Sequence, residues 1–227
     1  MENDLSTSPP VIVIAPHPDD ESLGCGGTVA ILTAAGVTVD IAFVTRGERG
    51  TETNSTPDVK TAQQLAATRS AEATAATKLL GARRACFMGG RDGEVGLQPE
   101  LHSEFVELIN QGSYQRVFVC WYGDRHPDHR ATFIWFQRAL EQCPAVESVW
   151  LYEVWSPLEP NTLVPIDGTI EVKRAAIAAH QSQLAVLDYS AAYLGLSAYR
   201  AILSPPSRYA EAFLVLSRDE VLRLGRN

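Results

Sequence analysis

The sequence has little cysteine, no long apolar run and no concentration of basic residues, and each shortage removes a class of protein. Its four cysteines, Cys25, Cys86, Cys120 and Cys143, are widely spaced and form no C-x-x-C pair. That argues against a disulfide framework or a thiolate zinc site and for reduced thiols in a cytoplasmic protein. No window approaches the roughly eighteen uninterrupted apolar residues of a membrane-spanning helix. The opening residues carry Glu2 and Asp4, with neither a basic cluster nor an apolar centre, and do not read as a secretory signal. Nineteen Lys and Arg against 27 Asp and Glu give a formal charge of −8, and positive charge this scattered suits neither nucleic acid nor an anionic membrane. Neither is expected as a partner, a homo-oligomer is left open, and the sequon Asn54-Ser55-Thr56 is expected to be idle.

What is present is ordinary core-forming material: 45% of the 227 residues are hydrophobic and 20% charged, which excludes a disordered chain. Short β-branched runs alternate with longer helical stretches. Strands are expected over 11–15, 37–44, 84–88, 116–121, 148–154 and 163–166, and a last one over 212–216. Helices are expected over 24–35, 61–80, 99–111, 131–142 and 170–186, and a polar loop over 45–60. Strand–helix alternation at this spacing implies right-handed crossovers and a mainly parallel sheet covered on both faces, in one three-layer α/β domain. Its bounds are 11–217, behind a polar tail over 1–10.

Two clusters carry chemistry. The first strand runs into His17-Pro18-Asp19-Asp20-Glu21. If the chain turns helically after Pro18, His17 and Asp20 share a face and can grip one ion, while Asp19 points elsewhere and is free to act on whatever the ion binds. Alone, the cluster could be a capped turn with solvated carboxylates. The second cluster, His126-Pro127-Asp128-His129, follows the fourth strand. Together they supply two imidazoles and a carboxylate with acid–base groups to spare, a pattern that suits catalytic zinc and also ferrous iron. A dinucleotide turn is excluded, because Gly24 and Gly26 fit but Val29 stands in the third glycine position and no acid ends the second strand. Gly195-Leu196-Ser197-Ala198-Tyr199 lacks the last glycine of a nucleophile elbow, and no phosphate-binding P-loop is present.

The pair of motifs resembles the two signatures of the LmbE-like (PIG-L) deacetylase family. The likeness continues in order through Gly24-Cys25-Gly26-Gly27, Thr45-x-Gly47-Glu48-x-Gly50, Arg69-x-x-Glu72, Asp92-Gly93 and His180-x-Ser182-Gln183. Asp124-Arg125 stands where some members carry a tyrosine. The resemblance implies a Rossmann-like fold and a zinc-dependent hydrolase that removes the N-acetyl group from an N-acetylglucosamine-type conjugate, a small-molecule substrate. Alternatives are an amidase for thiol conjugates of such a sugar and a sugar- or metal-binding module without turnover. By the same resemblance His17, Asp20 and His129 are the zinc ligands, Asp19 the general base, and His126, protonated, the oxyanion stabiliser. Asp128 would orient a ligand histidine, and Arg69, Asp92 and Glu48 would contact sugar hydroxyls or support the pocket.

Overall fold

The structure, a computed structural model, describes residues 9–50 and 58–225. Most of the expected tail, the sequon and the middle of the polar loop lie outside the described residues. The strands are β1 (Val11–Ala15), β2 (Val39–Thr45), β3 (Arg84–Gly90), β4 (Arg116–Cys120), β5 (Ser148–Tyr152), β6 (Thr162–Pro165) and β7 (Ala210–Ser217). They form one sheet in the order β3-β2-β1-β4-β5-β7-β6, in which β7 alone runs against the rest. The helices are α1 (Asp20–Ala34), α2 (Val59–Leu79), α3 (Leu101–Gly112), α4 (Pro127–Ala139), α5 (Ile170–Ala179), α6 (Gln181–Leu184), α7 (Tyr189–Ala201) and α8 (Arg218–Arg223). α1, α2, α5, α6 and α7 pack together over one face of the sheet, and α3, α4 and α8 over the other. The expected mainly parallel three-layer sheet is the one observed.

Central β1 and β2 are buried along their whole length, as continuous apolar runs must be when helices cover both faces. The run Gly24-Cys25-Gly26-Gly27 serves packing. A Cβ on Gly24 would lie 2.3 Å from the Tyr152 ring, and one on Gly27 2.8 Å from Ile166, so α1 lies against the sheet at a distance only glycine permits. Two helices differ from expectation. α1 starts at Asp20 rather than 24, since Asp20 and Glu21 in its first turn suit a positive helix terminus. The helix expected over 170–186 is broken between α5 and α6 at His180 (φ −84°, ψ 58°), whose ring sits 3.1 Å from Glu21 Oε1. α7 and α8 were not legible as periodic stretches. Their starts carry recognisable caps: Asp188 accepts from Ala191 N, and Ser217 forms a capping box with Glu220.

β1 lies between β2 and β4, so the chain leaves β1 toward one side of the sheet and enters β4 from the other. The two loops at that switch of direction splay apart beyond the carboxyl ends of their strands and open a crevice. They are the loops that carry His17–Glu21 and His126–His129.

Candidate metal centre and active site

The loop after β1 is held under strain. Asp19, the residue before α1, has φ 144° and ψ −28°, a conformation that costs an L-residue on the order of 1–3 kcal/mol and persists only where its surroundings enforce it. Pro16 O accepts from both the backbone N–H and the hydroxyl of Thr45 at 3.0 Å. Pro18 O accepts from Arg69 Nη2 at 2.8 Å, and the Asp19 amide donates to Glu21 Oε2 at 3.1 Å. On the opposite loop His126 caps α4. Its Nδ1 accepts from Asp128 N at 3.2 Å, with Pro127 at the first helical position, where the missing N–H is no loss.

These loops converge three ligand atoms. His17 Nδ1 lies 3.3 Å from Asp20 Oδ2 and 3.2 Å from His129 Nε2, and His129 Nε2 lies 3.2 Å from Asp20 Oδ2. Nitrogen and oxygen ligands about 2.0–2.2 Å from a tetrahedral ion stand roughly 3.3–3.6 Å from one another, so the triangle has the size of one face of such a polyhedron. The outer side of each ring meets a carboxylate. His17 Nε2 faces Asp128 Oδ2 at 3.2 Å and Asp92 Oδ1 at 3.3 Å, and His129 Nδ1 faces Asp124 Oδ2 at 3.5 Å. The last contact is too long for a full hydrogen bond and leaves His129 Nδ1 without one; a carboxylate behind a ring nitrogen is nonetheless the arrangement that turns the other nitrogen's lone pair inward.

The pocket is short of positive charge. Burial disfavours a proton on His17 and on His129, yet the surrounding carboxylates outweigh it and push both above their usual value. Burial likewise opposes ionisation of Asp20, but the charge of His129 and the hydrogen bonds of both histidines hold its carboxyl well below the usual range. A cation in the triangle would meet that demand, and the donor set fits zinc or ferrous iron. His17, Asp92 and Asp128 also approach one another closely enough to share an ion, as do His17, His126 and His129. Both are alternative sets, and in each, as in the triangle, where Asp20 Oδ2 accepts from His17 N at 2.8 Å, part of the donor capacity is already taken. Asp128 already accepts from Gly93 N at 2.6 Å and Val95 N at 3.2 Å, Asp92 accepts from Arg49 N at 2.9 Å, and His126 Nδ1 is spent on its cap.

Residues 12–140 match the family described as GlcNAc-PI de-N-acetylase (PIG-L). The chain belongs to this family. It is 29% identical over 192 residues to the diacetylchitobiose deacetylase of Thermococcus kodakarensis, covering 76% of this chain and 69% of that relative. It is 27% identical over 183 residues to a probable N-acetyl-α-D-glucosaminyl L-malate deacetylase of Bacillus cereus, covering 76% and 83%. The solved N,N'-diacetylchitobiose deacetylase of Pyrococcus horikoshii superposes with a TM-score of 0.82 over 96% of this chain and 87% of that one; at 24% identity it bears on the fold. Among the described residues no helix is long and apolar enough to cross a membrane.

In this PIG-L member the motif residues surround one polar cavity of about 290 Å³, lined among others by His17, Asp19, Asp20, Arg69, Asp92 and His126. Asp19 Oδ2 stands 3.2 Å from Arg69 Nη2. Burial pushes its carboxyl up to about 6, against the pull of the Arg69 charge. His126 differs from expectation. Burial first, then the neighbouring His17 and His129, push it down to about 4, and Nδ1 accepts a backbone N–H. The ring is neutral at pH 7, and its proton sits on Nε2. Glu48 does not line the cavity; its Oε1 accepts from Asp92 N at 3.0 Å. Three buried groups that the sequence motifs include were given no role there. Asp124 lies behind His129. Glu21 anchors the Asp19 amide. His180 meets Glu21 through Nε2 while its Nδ1 has no partner. Each lies in or beside a motif, but nothing in its spacing tells a buried, partnered group from a solvated one.

Arg69 reaches the cavity with its guanidinium already engaged by Pro18 O, by Gly47 O at 3.0 Å and by Asp19. Gly47 (φ +65°) and Gly50 leave it room, since a Cβ on either would come within 2.4 Å of the guanidinium. Arg69→Ala is therefore expected to strip Pro18 O of its partner, to leave Gly47 O with only the Gly50 amide at 3.2 Å, and to lower stability by about 1–3 kcal/mol in a denaturant melt. It should also lower kcat while the bound metal stays stoichiometric. An unchanged melt would contradict this role.

Proposed function

We propose that this protein is a metal-dependent amide hydrolase that removes the N-acetyl group from an N-acetylglucosamine-type amino-sugar conjugate, with His17, Asp20 and His129 as ligands of zinc or of ferrous iron. The observation that carries the reading is the ligand triangle with the strained Asp19 beside it at the switch point of a PIG-L fold. A metal ion so held lowers the pKa of water and polarises a carbonyl. Asp19, a carboxylate at neutral pH, takes the proton of the attacking water and returns it to the amine nitrogen that leaves. His126 donates from Nε2–H to the carbonyl oxygen as charge gathers there; a neutral imidazole suffices, and one such donor is typically worth about 2.7–4 kcal/mol. Asp128, Asp92 and Asp124 hold the two ligand rings in orientation. Asp92 and Arg69 on the cavity wall are the contacts for sugar hydroxyls, and Glu48 supports them through the Asp92 amide. A relative that deacetylates diacetylchitobiose supports the sugar assignment.

The test is acetate release over N-acetylglucosamine, N,N'-diacetylchitobiose, and N-acetylglucosaminyl malate and inositol, with a simple N-acetyl amino acid as the contrast. Release from at least one sugar and none from the amino acid is expected. The reverse preference would overturn the sugar while leaving a metal hydrolase.

A further inference from the structure

The cavity is small. At about 290 Å³ it lies at the lower edge of the usual range of about 300–1,000 Å³ for ligand pockets, room for the sugar ring and its acyl group and little more. The acyl end must reach the floor, where Asp20 and His129 are buried, so whatever is attached to the sugar leaves by the mouth. Two side chains at that mouth, Trp155 and Tyr189, also line a second groove of about 250 Å³ together with Val154, Leu187, Ala192 and Leu196. Tyr189, Ala192, Tyr193 and Leu196 stand at i, i+3, i+4 and i+7 of α7, so one apolar stripe runs about 10 Å outward from the mouth at 1.5 Å per residue. The one buried hydroxyl along it, that of Tyr193, already donates to Val154 O at 3.1 Å. Trp155 and Leu187 are 46% and 49% exposed, a large apolar surface to leave in water at the edge of a polar site. The other flank differs: Arg49 and Arg91 share the Glu94 carboxylate at 2.5 and 2.9 Å.

We propose that the groove along α7 is an aglycone subsite, and that the substrate is an amino sugar whose aglycone is an apolar chain or ring lying over Trp155, Ala192 and Leu196. The inference rests on the deacetylase reading and names the substrate class for it. Continuity with the cavity through Trp155 and Tyr189 favours this occupant over a second copy of the chain.

The experiment compares the hexyl and methyl β-glycosides of N-acetylglucosamine, binding measured by calorimetry to the Asp19→Asn protein, whose turnover is expected to be slowed by about 10²- to 10⁴-fold. The hexyl glycoside is expected to bind at least about tenfold tighter, about 1.4 kcal/mol. Ala192→Asp, an exposed position that folding tolerates, should reduce the ratio to about one and leave the methyl glycoside unaffected; Leu196→Ala should reduce it in part. Equal binding of the two glycosides, no binding of either, or a ratio that survives Ala192→Asp would overturn the subsite. A smaller particle for Ala192→Asp in light scattering, with the ratio intact, would show the groove to be an interface between copies. Acetate release from the methyl glycoside by the unaltered protein tests the deacetylase reading separately, because that substrate does not use the groove.

Discussion

Alanine in place of His129 is expected to give a folded protein that retains no stoichiometric metal and releases acetate only at background. His129 supplies one of three atoms spaced 3.2–3.3 Å apart, and the remaining two cannot define a tetrahedral site. The ring is fully buried, so some loss of stability accompanies the change, on the order of 1–3 kcal/mol for a vacated polar position. Metal analysis by mass spectrometry, beside circular dichroism to establish folding, separates loss of the ion from loss of the fold. Asp20→Ala should behave in the same way. Retention of a full equivalent of metal in either variant would move the site to the neighbouring set around Asp92 and Asp128.

Asp19→Asn should do the opposite: keep one equivalent of metal and lose about 10²- to 10⁴-fold in kcat, the share that a positioned general base commonly supplies. The amide preserves size and can still accept from Arg69, so the strained turn is kept and only the proton acceptor is removed. If Asp19→Asn lost the metal and Asp20→Ala kept it, the two roles would be exchanged. The sign of the pH dependence follows from the same group. With Asp19 as the proposed base the rate would need the carboxylate; burial pushes its pKa up to about 6, and a cation in the triangle would draw it down. The rate is therefore expected to fall as pH drops through about 6 or below, and this limb should vanish from the residual rate of Asp19→Asn. His126 sets no requirement for acid, being neutral over this range.

The parallel sheet and the His/Asp clusters were legible because they depend on local pattern: buried strands as apolar runs, and an i, i+3 pair that puts His17 and Asp20 together. Contacts that join distant segments were not. Arg69 was expected to contact sugar hydroxyls or support the pocket; that its guanidinium also ties Pro18 to Gly47 is a pairing no spacing reveals. His126 was expected to be protonated; its part as the cap of α4 decides the tautomer, and a cap is a matter of backbone geometry. Of the aromatic residues near strand ends, Trp150 packs on Phe118 and Phe213 and Trp121 donates to Ser156 O at 2.8 Å, while Trp155 stands at the cavity mouth. Sequence position alone made them equivalent.

The most direct test of the account is a zinc titration of metal-free protein with acetate release read at each point, on a substrate that the screen has identified. The account predicts no turnover at the start, a linear rise, and a plateau at one equivalent per chain, with His129→Ala flat throughout. Full turnover before any metal is added would contradict it.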